Sequence, residues 1–313
     1  STHCISSAAS DVYKRQTLTQ LEIFSLVAEL QGFTSAATRL GITQSAVSHA
    51  IKSLEQELQV DLFRRHQAQV ELTDIGTQLL LRARAMLGLA ATLAQEAADA
   101  RGMKRGTLRI GSFGPTSSIR LLPRILHDYR REYPDIEVHI DEGPDRQVLQ
   151  WLEERRVDLG FVVLPQERFD TMPVVEDQLL ALIPASHALA SEAQLRLDQL
   201  CHDPFVLTEA GSAELVSRLF IGAGLRPNIR YRSTQLLSTL ETVARGDALS
   251  IVAELSLPQA ADPRYTSRPL EPAVRRQVGI AVLDRRQASP AALAFIQHCL
   301  LYTSPSPRDV EES

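Results

Sequence analysis

Polar side chains of two kinds are grouped tightly enough to act together. The first group is Thr43, Gln44, Ser45, Ser48, His49 and Lys52. If residues 44–58 are helical, Gln44, Ser45, Ser48, His49 and Lys52 share one arc, with Thr43 in the turn before it, because Val47, Ile51, Leu54 and Leu58 step by four, three and four along another. A glutamine amide can pair bidentately with adenine, serine hydroxyls suit phosphate or base edges, and a lysine suits phosphate. The second group is Thr116, Ser117 and Ser118, which close the run that starts at Gly111. Hydroxyls beside free backbone N–H groups at a helix start suit a carboxylate. Each group also has a plainer reading: the arc as the solvated face of a small bundle, and Thr116 or Ser117 as a helix cap.

Other chemistries are not supported. Cys4, Cys201 and Cys299 have no paired spacing, which argues against a disulfide framework or a zinc site and fits a reducing cytosol. His127, His139, His187 and His202 are far apart, with no companion cysteine or carboxylate cluster at ligand spacing. Gly111-Ser112-Phe113-Gly114 lacks the spacing and lysine of a phosphate-binding loop. No catalytic triad is visible, so the chain is read as no enzyme, with no cofactor and no metal. The net charge of −5 does not announce a nucleic-acid binder, and basic and acidic residues balance between Thr17 and Arg105. Spatial pattern, not bulk charge, must carry that reading. The longest apolar runs, such as Leu179–Ile183, are strand-sized, far from the roughly 20 residues of a membrane helix, so no membrane partner is expected.

The elements that must position the first group are short helices. Leu18, Leu21, Phe24 and Ala28 mark one helix, which Gly32 ends. Thr34 is placed to cap a second, Ser35–Leu40. Gly41-Ile42-Thr43 then makes a tight turn into a third helix, Gln44–Leu58, which is a helix-turn-helix layout. Val60–Phe63 supplies anchors, and Gln69–Leu72 alternates like a strand, so Arg64 and Arg65 sit on a wing against the DNA backbone.

The run Ala36-Ala37-Thr38-Arg39-Leu40-Gly41-Ile42-Thr43-Gln44-Ser45-Ala46-Val47-Ser48-His49-Ala50-Ile51, with Leu54-Glu55, closely resembles the helix-turn-helix of LysR-type transcription regulators. Leu62-Phe63-Arg64-Arg65 and Leu72-Thr73-Asp74-Ile75-Gly76 resemble that family's wing and its entry to a linker helix. From Gly76 to about Ala100 the chain is rich in alanine and leucine. Leu79, Leu80, Ala83, Met86, Leu87, Ala90, Leu93, Ala94 and Ala97 keep one apolar stripe on a helix of roughly 37 Å. A lone helix needs a partner for such a stripe, and the resemblance implies a homodimer or homotetramer built on linker helices. Gly102 and Gly106 flank a hinge.

From Thr107 strands alternate with helices, which predicts parallel sheets covered by helices, in two lobes. Lobe I is expected over about 107–164 and 254–298, and lobe II over about 165–253. The resemblance implies a fold like a periplasmic solute-binding protein, with a small-molecule effector, a carboxylate for choice, in the interlobe cleft. By register with Leu121-Leu122-Pro123, Thr116 matches the family's effector-contacting hydroxyl position, with Ser117 and Ser118 beside it. Thr208, Glu209 and Gln235 are candidates across the cleft. Some family members that sense aromatic acids carry a second hydroxyl where this chain has Pro144, so the resemblance alone does not give this chain their ligand.

The whole expectation is an α winged helix-turn-helix (17–75), a linker helix (76–102) and an α/β effector domain (103–298). It describes a cytoplasmic, nucleoid-associated regulator that binds double-stranded DNA, with RNA polymerase as a further partner. A solute-binding protein and an effector-independent architectural DNA binder are the alternatives. Residues 1–16 and 299–313 are read as foreign. Tyr13–Gln16 can be written TATAAGAGACAG, whose reverse complement encodes Cys299–Tyr302, an inverted repeat like that of sequencing adapters.

Overall fold

A computed structural model describes residues 7–66, 69–101, 104–209 and 211–301. The chain divides into two compact units, Ser1–Ala94 and Gln95–Ser313. Among the described residues no helix is long and apolar enough to cross a membrane.

The first unit opens with α1 (Ser7–Leu30), α2 (Phe33–Leu40) and α3 (Gln44–Leu58). A two-stranded antiparallel wing follows, β1 (Phe63–His66) paired with β2 (Gln69–Leu72), and then α4 (Asp74–Asp99). Its core joins Leu21, Phe24 and Val27 of α1 to Ala36 and Ala37 of α2 and to Val47, Ile51 and Leu54 of α3. Phe63 closes the base, its ring edge-on to Phe24 at 5.5 Å. The inward face of α1 is thus Leu21, Ile23, Phe24 and Val27, whereas Leu18, expected inside, is exposed. Thr34 does not cap α2. The helix starts at Phe33 with Gly32 as N-cap, which leaves Thr34 within the first turn, where its carbonyl accepts from Thr38 Oγ1.

The second unit adds β3 (Gly106–Ser112), α5 (Leu122–Glu132), β4 (Ile136–Glu142), α6 (Asp145–Glu153), β5 (Leu159–Leu164) and β6 (Asp170–Pro184). Then come β7 (Pro204–Thr208), α7 (Ala213–Gly222), β8 (Asn228–Ser233), α8 (Leu236–Ala244) and β9 (Ser250–Ala253). Last are β10 (Tyr265–Pro269), β11 (Arg275–Val282) and α9 (Pro290–Leu301). In lobe I, β3 runs parallel to β4 and β5. In lobe II, β7 runs parallel to β8.

The expectation of parallel sheets holds for β3–β5 and β7–β8 but not for β6 and β11, which run antiparallel to their neighbours. At 15 residues β6 is about 50 Å long, enough to serve both lobes. Its first half pairs with β11, and its second half pairs with β9 and β10. The expected return to lobe I at residue 254 is also corrected. Tyr265–Pro269 pairs with Leu180–Pro184, and Leu270 and Val274 pack in the lobe II core. The chain therefore returns near 271–275. The alternating pattern could not reveal this, because a strand exposed on one face reads the same in either sheet.

The end of α4 is built into the second unit. Gln95 is buried, its Oε1 accepts from the Ala291 N–H at 3.2 Å, and Ala98 is buried beside it. A β-carbon on Gly106 would lie 1.8 Å from Gln95 Nε2, so a side chain there would have to displace the Gln95 amide from its seat. The stretches read as foreign meet these helices in part: α1 starts at Ser7, and Cys299 of α9 is buried in the lobe I core. Residues 1–6 and 302–313 lie outside the described residues.

Candidate nucleic-acid interface and effector cleft

The turn between α2 and α3 is set by two residues. Gly41 takes the left-handed conformation (φ 66°), and its N–H bonds back to the end of α2. Thr43 is extended, and its hydroxyl accepts from the Ala46 N–H at 3.2 Å as the N-cap of α3. Val47 and Ile51 are fully buried, and Leu54 is nearly so. That orientation leaves Gln44, Ser45, His49 and Lys52 exposed and Ser48 half-buried. These five line one shallow concavity that Phe33 closes. Gln44 Nε2 donates to Ser48 Oγ at 3.0 Å, so the amide is held along the helix face.

Thr43, in contrast, spends its hydroxyl oxygen on the cap. Leu58, expected to face inward, is exposed. The residue that takes its place is Glu55, a carboxylate buried on the inner face, whose Oε1 accepts from the N–H groups of Leu62 at 2.9 Å and Phe63 at 3.4 Å. Glu55 thereby fixes the start of the wing to the recognition helix. Sequence periodicity missed it because an acidic residue is ordinarily taken as solvated. Arg64 is exposed on β1 and ion-paired with Asp74 at 3.1 Å. The Arg65 side chain lies outside the described residues.

In the second unit, the hydroxyl run follows β3 and forms a π-helical turn, Thr116–Leu121. Ser117 is buried and bonded to the Phe113 backbone and to Ser112 Oγ, which also meets Ser118 Oγ at 2.8 Å. Ser117 therefore ties the loop together. Thr116 is buried too, and its Oγ1 accepts from Arg276 Nη2 at 3.0 Å. Thr208 ends β7 buried, Glu209 is half-buried and Gln235 is exposed as the N-cap of α8.

The group that faces Thr116 was not foreseen. Arg276 of β11 is buried against Asp177, its direct cross-strand neighbour on β6, with contacts of 2.8 and 2.6 Å. Nearby, burial pushes the Asp145 carboxyl up; the Arg146 backbone N–H opposes this, Glu214 adds to it and Arg276 opposes it. Arg276 and Asp177 are 99 residues apart, and no local spacing links them.

A family model described as the bacterial regulatory helix-turn-helix protein, lysR family, matches residues 18–77. A second, described as the LysR substrate binding domain, matches residues 101–302. The chain belongs to the LysR family. The HTH-type transcriptional regulator YvbU of Bacillus subtilis (strain 168), itself uncharacterised, is 32% identical over 283 residues, 90% of this chain and 97% of that protein.

Among solved structures, a full-length cysteine variant of OxyR from Pseudomonas aeruginosa shares the fold. Its TM-score is 0.70 at 23% identity, over 91% of this chain and 94% of that one. Full-length CbnR, solved with its target DNA, has a TM-score of 0.60 at 23% identity, over 91% and 99% of the two chains. This LysR-family chain is therefore a DNA-binding transcriptional regulator, with its helix-turn-helix in the first unit and its effector-binding domain in the second.

Proposed function

We propose that this regulator reads double-stranded DNA through residues 17–75, assembles through residues 76–102 and senses a small molecule through residues 103–298. The reading rests chiefly on the outward polar edge of α3. Gln44 and Ser45, with Ser48 and His49, enter the major groove, where Gln44 supplies base discrimination. Lys52, Arg64 and Arg65 meet phosphates, and Thr43 shapes the helix start. CbnR, which was solved on its target DNA, shares this fold, and that likeness supports the docking mode.

Two such readers are needed for a two-fold site. The stripe on α4 divides in a way that supplies the second copy: Leu80 and Ala83 are buried in their own unit, while Met86 and Leu93 stand exposed, with Leu89, outside the stripe read from the sequence, exposed between them. A second copy of α4 would cover them as a coiled-coil seam. The homodimer, or a homotetramer made from two of them, follows from that seam.

The effector site is the space around Thr116, with Ser118, Thr208, Glu209 and Gln235 at its margins and Ser117 as support. A ligand there acts by shifting lobe II against lobe I, and the shift biases RNA polymerase recruitment at the target. In this reading the protein is cytoplasmic, nucleoid-associated and has no catalytic role. Selection of bound sequences from a random duplex pool, using the full chain, tests it. The expected product is one motif in two inverted half-sites about 34–36 Å apart or a multiple of that. Recovery of unenriched sequence would overturn it.

A further inference from the structure

The buried Arg276 guanidinium does more than neutralise Asp177. An arginine has five N–H donors, and here every one is spent. Nε and one Nη2 proton go to the two Asp177 oxygens, and the other Nη2 proton goes to Thr116 Oγ1. Nη1 donates to the Gly211 carbonyl at 3.1 Å and to Ser212 Oγ at 3.3 Å. Thr116 belongs to lobe I, whereas Gly211 and Ser212 lead into α7 of lobe II. The Phe113 ring of lobe I sits under the guanidinium at 5.9 Å. Gly211 packs on the same ring so closely that a β-carbon there would lie 2.7 Å from it.

We infer that Arg276 is an interlobe latch. Asp177 and Arg276 are register partners on the two strands that cross between the lobes, so the ion pair stays intact however the lobes swing. What opening strains is the other edge of the guanidinium, whose bonds to Thr116 on one side and to Gly211 and Ser212 on the other bridge the lobes. Because Thr116 lies on one lobe and Gly211 and Ser212 on the other, the guanidinium N–H groups cannot keep both sets of acceptors once the lobes part, which penalises opening. Nothing in this depends on an effector being bound. It does set what a ligand must bring to part the lobes, namely oxygen acceptors for those N–H groups.

Hydrogen exchange of the full chain, without added small molecules, tests the latch. Arg276→Met is combined with Asp177→Asn so that no buried charge is orphaned. The expected result is at least tenfold faster exchange of amides in residues 111–118 and 211–216, with β5 and β9 unchanged. Thr116→Val and Ser212→Ala, which keep the ion pair, provide a second route if the double variant does not fold. Each should speed the same two segments, on the order of tenfold per lost bond to a charged group. Thr116→Val must loosen residues 211–216 across the cleft as well as its own loop. Unchanged exchange, a change confined to the mutated lobe, or equal acceleration throughout the unit would each overturn the latch.

Discussion

Replacing Glu55 by alanine should loosen the reading head without touching its polar edge. The side chain is buried at 8% exposure and accepts from two backbone N–H groups, those of Leu62 and Phe63. Both donor residues are themselves buried, so water cannot readily take over. A hydrogen bond to a charged acceptor contributes about 1.5–3 kcal/mol, and the longer bond of 3.4 Å contributes the smaller share. The expected loss for Glu55→Ala is therefore about 2–4 kcal/mol of first-unit stability.

Glu55→Gln keeps an oxygen acceptor at the same place and should lose no more than about 1 kcal/mol. The only tryptophan, Trp151, is in the second unit, so fluorescence would miss the effect. Hydrogen exchange of α3 amides from Val47 to Leu58 in the full chain reports it directly. A loss below about 0.5 kcal/mol for the alanine variant would refute the anchoring role, since that is the range of neutral surface changes. An equal loss for both variants would show that charge, not acceptance, is what matters.

Gln44→Ala should relax base discrimination by about 1–3 kcal/mol at the cognate position while leaving binding to random duplex nearly unchanged, as measured by titration against both. Arg64→Ala should weaken specific and random DNA alike and reduce the salt slope by about one, with little stability lost because its Asp74 partner is highly exposed. Met86→Asp with Leu93→Asp should shift the full chain from dimer toward monomer in sedimentation equilibrium. An unchanged mass would remove the α4 seam.

How much was legible in the sequence depended on how local the cause was. The recognition helix, its turn and the wing could be read because each is set by residues within a few positions: Gly41 for the left-handed turn, Thr43 for the cap and Val47, Ile51 and Leu54 for the face. The alternation of strands and helices after Thr107 gave the elements from β3 to β9, with only the second half of β6, and left β10, β11 and α9 unread. It did not show that β6 is long enough to serve two sheets, nor where the chain crosses back. Glu55 was hidden because its burial depends on β1 folding over it. The Arg276–Asp177 pair was hidden because only the sheet register brings them together. Thr116 was singled out for its hydroxyl, yet the partner that occupies that hydroxyl lies 160 residues away.

The way α4 finishes also determines where this protein can be cut. Gln95 plugs the gap above Gly106 and serves the first free N–H at the head of α9, so the last turn of α4 is masonry of the sensing half. A fragment begun at Arg101, where the substrate-binding family model starts, would leave that N–H bare and the Ala98 seat empty. A fragment begun upstream of Gln95 carries its own keystone.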